Sequence, residues 1–130
     1  MNPTLESVTA AANRLVDAFG RHDTEAYFAA FAPEATFVFH NLDRVLGSRE
    51  DYRAEWRLWE ERDGFRIVEC RSSEQRIQFA GEIAIFTHRV ETKLEFNGES
   101  SVTDERETIV FQRRPDDVWL AVHEHLSKCS

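Results

Sequence analysis

Before Phe65 the apolar residues of this chain recur at every third or fourth position; from Phe65 onward they recur mostly at every second. A helix gathers positions three and four apart on one face, and a strand sends alternate side chains to opposite faces. The first half is therefore read as helical and the second as sheet-forming. Helices followed by a run of strands mark an α+β fold, with an antiparallel sheet covered on one side.

The strand half divides at its turns. Residues 65–79 begin and end with alternating apolar positions, Phe65, Ile67, Ile77 and Phe79, around a polar middle, CRSSEQ. That middle is too polar for a central strand and calls for a bend, a bulge or an exposed edge. Gly81 makes a turn, and residues 83–96 form the next strand. Asn97-Gly98 is the strongest hairpin signal in the chain, because both residues tolerate the positive φ of a tight turn. Residues 99–113 return, Arg114 to Asp117 turn again, and residues 118–127 finish the sheet.

In the first half, Leu5, Val8, Ala12, Leu15, Val16 and Phe19 define an amphipathic helix over residues 3–21. Asn2 suits its cap, Pro3 its first turn and Gly20 its end. Asp23 caps a second helix, TEAYFAAF, that stops before Pro33 and presents Tyr27, Phe28 and Phe31. Residues 35–40, ATFVFH, read as a buried strand. Ser48 opens a third helix, with Glu50 and Asp51 in the first turn where the helix dipole favours acid. Tyr52, Trp56 and Trp59 share one face of that helix. They pack on the sheet, and Trp56 with Tyr52 is a candidate wall of a ligand cavity. A strongly curved sheet wrapped over three N-terminal helices makes a cone with a pocket inside.

Composition narrows the partners. The 130 residues are read as one domain, residues 1–130, and 42% hydrophobic content is enough for a single core. A net charge of −8 argues against nucleic acid and anionic membrane, both of which need a basic surface. No apolar run approaches the roughly 20 residues of a membrane span. MNPTLES lacks the basic and apolar regions of a signal peptide. Cys70 and Cys129 show neither disulfide-framework nor metal spacing, so they read as free thiols in a reducing cytoplasm.

The candidate site is the last hairpin, RETIVFQRRPDDVWLAVHEHLS. Strict alternation puts Trp119, Ala121, His123, His125 and Ser127 on one face. If Arg113 pairs with Val118, Thr108 stands opposite His123 and Arg106 opposite His125. His123 and His125 are then roughly 6.5 Å apart along the strand and reach one small ligand. As a pocket floor, Arg106 binds an anion or carbonyl, because a guanidinium grips carboxylates with two parallel bonds. His123 or His125 serves as the acid/base group, since imidazole titrates near neutrality. The plainer alternative is a hydrogen-bonded polar set that closes one end of the core. His40 faces the cavity mouth or caps its strand. Strict pairing through Asn97-Gly98 puts Arg89, not His88, on the Arg106 face; His88 joins it only if a bulge near Ser100-Ser101 shifts the register. His22 reads as a surface residue. With only two histidines sure of one face, no metal is expected.

The pattern R-x-T-x-V-F-x-R-R, a turn, then W-x-A-V-H-x-H-x-S resembles the C-terminal hairpin of SnoaL-like domains. These belong to the superfamily of nuclear transport factor 2-like and ketosteroid-isomerase-like proteins. The hairpin is also similar to that of the association domain of calcium/calmodulin-dependent kinase II. EATFVFHN, GSREDYRAEW and AGEIAIF extend the resemblance over nearly the whole chain. It implies a cystatin-like α+β barrel, a cone-shaped antiparallel or mixed sheet of about six strands, and a deep cavity. It also implies a homodimer through the outer sheet face. In this motif the site residues are Arg106, Thr108, Trp119, His123 and His125. The match does not locate the tyrosine and two carboxylic acids that ketosteroid isomerases use.

Three functions fit. One is an enzyme of isomerase, dehydratase or cyclase type acting next to a carbonyl, with His123 or His125 as acid/base and Arg106 as electrostatic stabiliser. The second is a non-catalytic module that binds a small polar, carbonyl or carboxylate compound. The third is a dimerisation module. No cofactor is expected, because no glycine-rich phosphate loop is present.

Overall fold

The computed structural model describes residues 3–129, so the expected cap at Asn2 lies outside the described residues. Helices α1 (Pro3–Gly20) and α2 (Thr24–Ala29) lead into strand β1 (Phe31–Phe39) and helix α3 (Arg49–Asp63). Strands β2 (Arg66–Ala80), β3 (Ile83–Phe96) and β4 (Glu99–Arg114) follow, then a 3₁₀ turn (Pro115–Asp117) and β5 (Val118–Lys128). The caps act as the sequence requires. Asp23 accepts the Ala26 N–H at 3.2 Å, and Ser48 accepts the Asp51 N–H at 3.1 Å. Gly64 ends α3 with φ 63°, a conformation glycine enters freely.

The five strands form one curved mixed sheet in the order β1-β5-β4-β3-β2. β1 runs parallel to β5 and the other neighbours are antiparallel. β1 starts at Phe31, earlier than the expected residue 35, and runs through Pro33. It can do so because it is an edge strand and its ladder to β5 is interrupted between Phe31 and Thr36, where a missing N–H costs no bond. Asn97 and Gly98 have φ of 54° and 77°, as the hairpin signal demands. β2 is the opposite edge, and its polar middle is a bulge. The register breaks between Ser73 and Arg76, with Glu74 at φ 53°.

The helices cover one face of the sheet and the core lies between them. Phe86 on β3, Ile109 and Phe111 on β4, and Ala121 on β5 are buried there against Phe28, Tyr52 and Trp56. These large side chains fix which face of each strand is inner. Alternation from Phe86 carries His88 inward, and alternation from Ile109 and Phe111 carries Glu107 and Glu105 inward.

The last hairpin does not have the faces that strict alternation gives it. Arg114, not Arg113, pairs with Val118, which moves the register by one residue, and a bulge moves it by one more, so Thr108 stands opposite His125 and Arg106 opposite Ser127. On β5, Phe111 pairs with Ala121 but Val110 pairs with His123, which leaves Val122 as an extra residue. One inserted residue reverses the parity of everything after it. Trp119 and Ala121 therefore point inward, and so does Glu124, while His123 and His125 turn to the outer face. The set that strict alternation places on one face is split by this bulge.

Candidate functional site

Between the helices and the inner sheet face lies a cavity of about 240 Å³. Most of its wall is apolar and aromatic, including Phe19, Trp56, Trp59, Phe65 and Phe96. Its polar lining is concentrated in three carboxyl groups, Glu105, Glu107 and Glu124, and two imidazoles, His40 and His88. Among the described lining residues there is no arginine or lysine.

The acids are held in pairs. His88 Nε2 lies 2.7 Å from Glu107 Oε1, its direct cross-strand partner, and its Nδ1 lies 2.7 Å from Ser72 Oγ. The His88 side chain has no exposed surface. Glu124 hydrogen-bonds Glu107 from the adjacent strand. Burial pushes the Glu124 carboxyl well above the usual carboxylate range, and the charge of Glu107 pushes it further. Glu124 thus keeps its proton and donates it to Glu107. Tyr27 Oη lies 2.9 Å from Tyr52 Oη and makes a longer contact, 3.4 Å, to Glu124. Burial is the main cause that raises both phenols well above their ordinary value. Where the lining reaches solvent at the exposed His40 and Asn41, His40 Nε2 meets Glu105 Oε2 at 2.5 Å, and Thr103 Oγ1 donates to the other Glu105 oxygen at 3.1 Å.

Of the residues expected to form the site, Tyr52, Trp56 and His40 line the cavity. Trp119 is buried but lies outside the lining, its ring 6.2 Å from that of Phe79. Arg106 and His125 are exposed on the outer face, and Thr108 and His123 are half-buried there. His123 and His125 stand with ring centroids 6.5 Å apart, the spacing expected of them, but on the sheet face away from the cavity. His123 Nδ1 lies 2.8 Å from Thr36 Oγ1. Burial, then the neighbouring His125, holds its imidazole below the usual value.

His88, Glu105, Glu107, Glu124 and Tyr27 are the site residues that sequence reasoning missed. His88 needs no register shift to enter, since β3 and β4 pair without interruption. The available signal was the parity shared with Phe86 and Phe111. His22, expected on the surface, is half-buried. Its Nδ1 accepts the Ile67 N–H at 3.0 Å, Nε2 donates to Glu60 at 2.7 Å, and its ring lies 5.0 Å from that of Trp56. It pins α3 to β2. Cys70 lines the cavity with its thiol pushed up to about 12 by burial and then by Glu107, so it is no nucleophile. Among the described residues no three His, Cys, Asp or Glu side chains converge as a metal would require.

A model of the SnoaL-like domain family matches residues 8–129. No curated protein sequence matches the chain. Solved structures share its fold at low identity. A ketosteroid isomerase-like protein from Erwinia carotovora atroseptica is 18% identical with a TM-score of 0.83, over 100% of this chain and 99% of that one. A nuclear transport factor 2-like protein of unknown function in nutrient uptake from Rhodospirillum rubrum is 20% identical with a TM-score of 0.80, over 95% and 98%. A calcium/calmodulin-dependent kinase II hub homology domain from Chlamydomonas reinhardtii is 17% identical with a TM-score of 0.74, over 100% of both. At these identities the likeness is one of fold alone.

Proposed function

The chain belongs to the SnoaL-like domain family, and we propose that its cavity binds a small molecule with an apolar body and one carbonyl group and moves a proton next to that carbonyl, as isomerases, dehydratases and cyclases do. The observation that carries this reading is Glu124, a buried carboxyl kept protonated at the polar end of an otherwise apolar cavity. With a ligand in place the single O–H of Glu124 turns from Glu107 to the carbonyl oxygen, where negative charge gathers, and leaves Glu107 free as a base. Glu107, backed by His88, is the group that takes a proton from the adjacent carbon. The acid/base role expected of His123 and His125 thus passes to His88 and its carboxyl partners, and the stabilising role expected of Arg106 passes to Glu124. Tyr52 and Trp56 wall the ligand, and His40 stands at the opening. Three carboxyl groups with no lysine or arginine among the described lining residues disfavour a carboxylate ligand, because a buried anion needs a cation.

The test is α-proton exchange of neutral apolar ketones in D₂O, followed by NMR. The native chain should accelerate the exchange of at least one ketone, and Glu124→Gln should lose about a hundredfold of that rate. Ketones that bind but never exchange would leave a binding module and no enzyme.

Self-association has separate support. Half-buried Ile83, Ile85, Val110, Leu120 and Val122 lie on the outer sheet face around His123. We propose that a second copy of the chain covers this face as a homodimer. Sedimentation velocity tests it, since Val110→Glu should leave a monomer. No helix among the described residues is long and apolar enough to cross a membrane. Cys70 and Cys129 are both free thiols, which supports a place in the reducing cytoplasm.

A further inference from the structure

Ser72 is the outer end of a polar chain that reaches the cavity acids from behind. Gln75 Nε2 donates to Ser72 Oγ at 2.9 Å and to Asn13 Oδ1 of α1 at 3.3 Å. Ser72 Oγ meets His88 Nδ1 at 2.7 Å, His88 Nε2 meets Glu107 Oε1 at 2.7 Å, and Glu107 bonds Glu124. Asn13 and Gln75 are exposed and Ser72 is half-buried, whereas His88 is enclosed. Neither Ser72 nor Gln75 lines the cavity. The polar chain therefore runs from solvent at the sheet edge to the cavity acids without passing the opening at His40.

We infer that Ser72 and the β2 bulge form a proton port, the main route by which solvent exchanges protons with His88 and, through it, with the Glu107–Glu124 pair, whether the cavity is empty or filled. The inference rests on the reading above only in taking these two carboxyls as the groups that trade a proton with the ligand. A ligand that fills an apolar cavity excludes the water that would otherwise restore a spent acid. Imidazole suits the relay because one nitrogen accepts while the other donates. The Ser72 hydroxyl passes its proton to Nδ1 and takes another from a water or buffer acid. Nε2 releases its proton to Glu107, and the pair again holds the proton that Glu124 gave away. A later proton leaving by the same atoms in reverse restores the starting tautomer, so no co-reactant beyond solvent is needed.

The bulge gains a purpose on this account. The register break between Ser73 and Arg76 is where β2 leaves its ladder, and it brings Gln75 onto Ser72 and Asn13. The groups around His88 are consistent with a relay. Glu107 faces it from β4, Ser72 from β2, and the Phe86 ring lies 4.7 Å away on its own strand. The nearest charged pair at the bulge, Glu74 with Arg89 at 3.7 Å, lies apart from these bonds.

The test needs no ligand. Exchange of the His88 ring N–H protons with water is measured by ¹⁵N NMR on the full chain. Ser72→Ala should slow it by about tenfold, the rate equivalent of one lost hydrogen bond. Ser72→Thr, which keeps the hydroxyl, should restore it. Gln75→Ala, at an exposed position, should leave the fold intact and give a smaller slowing. Exchange in Ser72→Ala as fast as in the native chain would overturn the port, because protons would then reach His88 through the cavity. A failure of ketone exchange with this result intact would remove the proposed reaction and leave the path standing.

Discussion

Glu124 on β5 shares a hydrogen bond with Glu107 on β4, and both carboxyls are more than nine-tenths buried. They are diagonal neighbours, since Glu124 stands opposite Ile109 and Glu107 opposite Leu126, a spacing that long side chains span. Two carboxylates in so dry a place cannot both ionise, and one proton between them resolves the conflict. The rest of the polar lining is arranged around this pair.

The first consequence concerns stability and pH. Glu124 holds its proton in the folded chain, while the unfolded chain loses it above the ordinary value of 4.5. Between that value and the raised native one the folded state binds more protons, so stability falls as pH rises, by about 1.4 kcal/mol per unit. Below the ordinary value the contribution is fully present. Glu124→Gln should remove this slope. Urea unfolding at pH 5, 6, 7 and 8 measures it, and an unchanged slope would show that Glu124 is ionised in the folded protein.

The two faces of the sheet should separate in their effect on chemistry. His88→Gln should lower ketone exchange by about a hundredfold, the range for loss of an acid/base partner. Arg106→Ala, His123→Gln and His125→Gln should leave the rate near native, because these side chains lie outside the cavity lining. A large loss in His123→Gln alone would return the site to the outer face.

Deletion of Val122 tests the bulge. Without it Ala121 and His123 become consecutive, matching the consecutive Phe111 and Val110 they already face. Glu124 should stay inward, and the variant should still unfold cooperatively. Deletion of Val110 has the opposite effect, since it drives Glu105 and Glu107 to the outer face or breaks the β3 ladder. That variant should lose its cooperative transition in thermal unfolding by circular dichroism.

His123 should titrate below 6.5, and His125→Ala should raise its midpoint by removing the neighbouring positive charge. The Cε1–H resonances in a ¹H–¹³C titration report both directly. A midpoint indifferent to His125 would contradict the coupling between the two rings.

Trp56 is 1% exposed, donates from Nε1 to Thr24 Oγ1 at 3.2 Å, and stands between the rings of Tyr27 and Phe65. Trp56→Ala should cost about 3–5 kcal/mol in urea unfolding, the price of a large buried ring and its cavity. A cost near zero would mean that α3 is not tied to the core through this residue.

The elements were legible because each follows from local chemistry. Asn97-Gly98 sets the β3–β4 turn, Ser48 sets the start of α3, and CRSSEQ marks the irregular edge. The site was not, for two reasons visible in single residues. Val122 adds one residue to β5, and no propensity distinguishes an extra valine in a strand from a paired one. Glu105 and Glu107 have the look of solvent-facing acids, and their burial follows only from sharing parity with Ile109 and Phe111. Val110, apolar on the outer face, blurs even that signal. The aromatic positions Phe86 and Phe111 mark the inner face and with it His88 and Glu107, though not the reversal at Val122.

The parallel pairing of β1 with β5 also has a consequence for biosynthesis. Thr36 on β1 meets His123 on β5 across 87 positions of chain, whereas β2, β3 and β4 are joined by short turns. Such distant partners are slow to find one another, and a ribosome delivers the amino-terminal half first. During translation the meander can zip as it emerges, but β1 must wait for the last strand. Until then its hydrogen-bonding edge is open to chaperones or to another nascent chain.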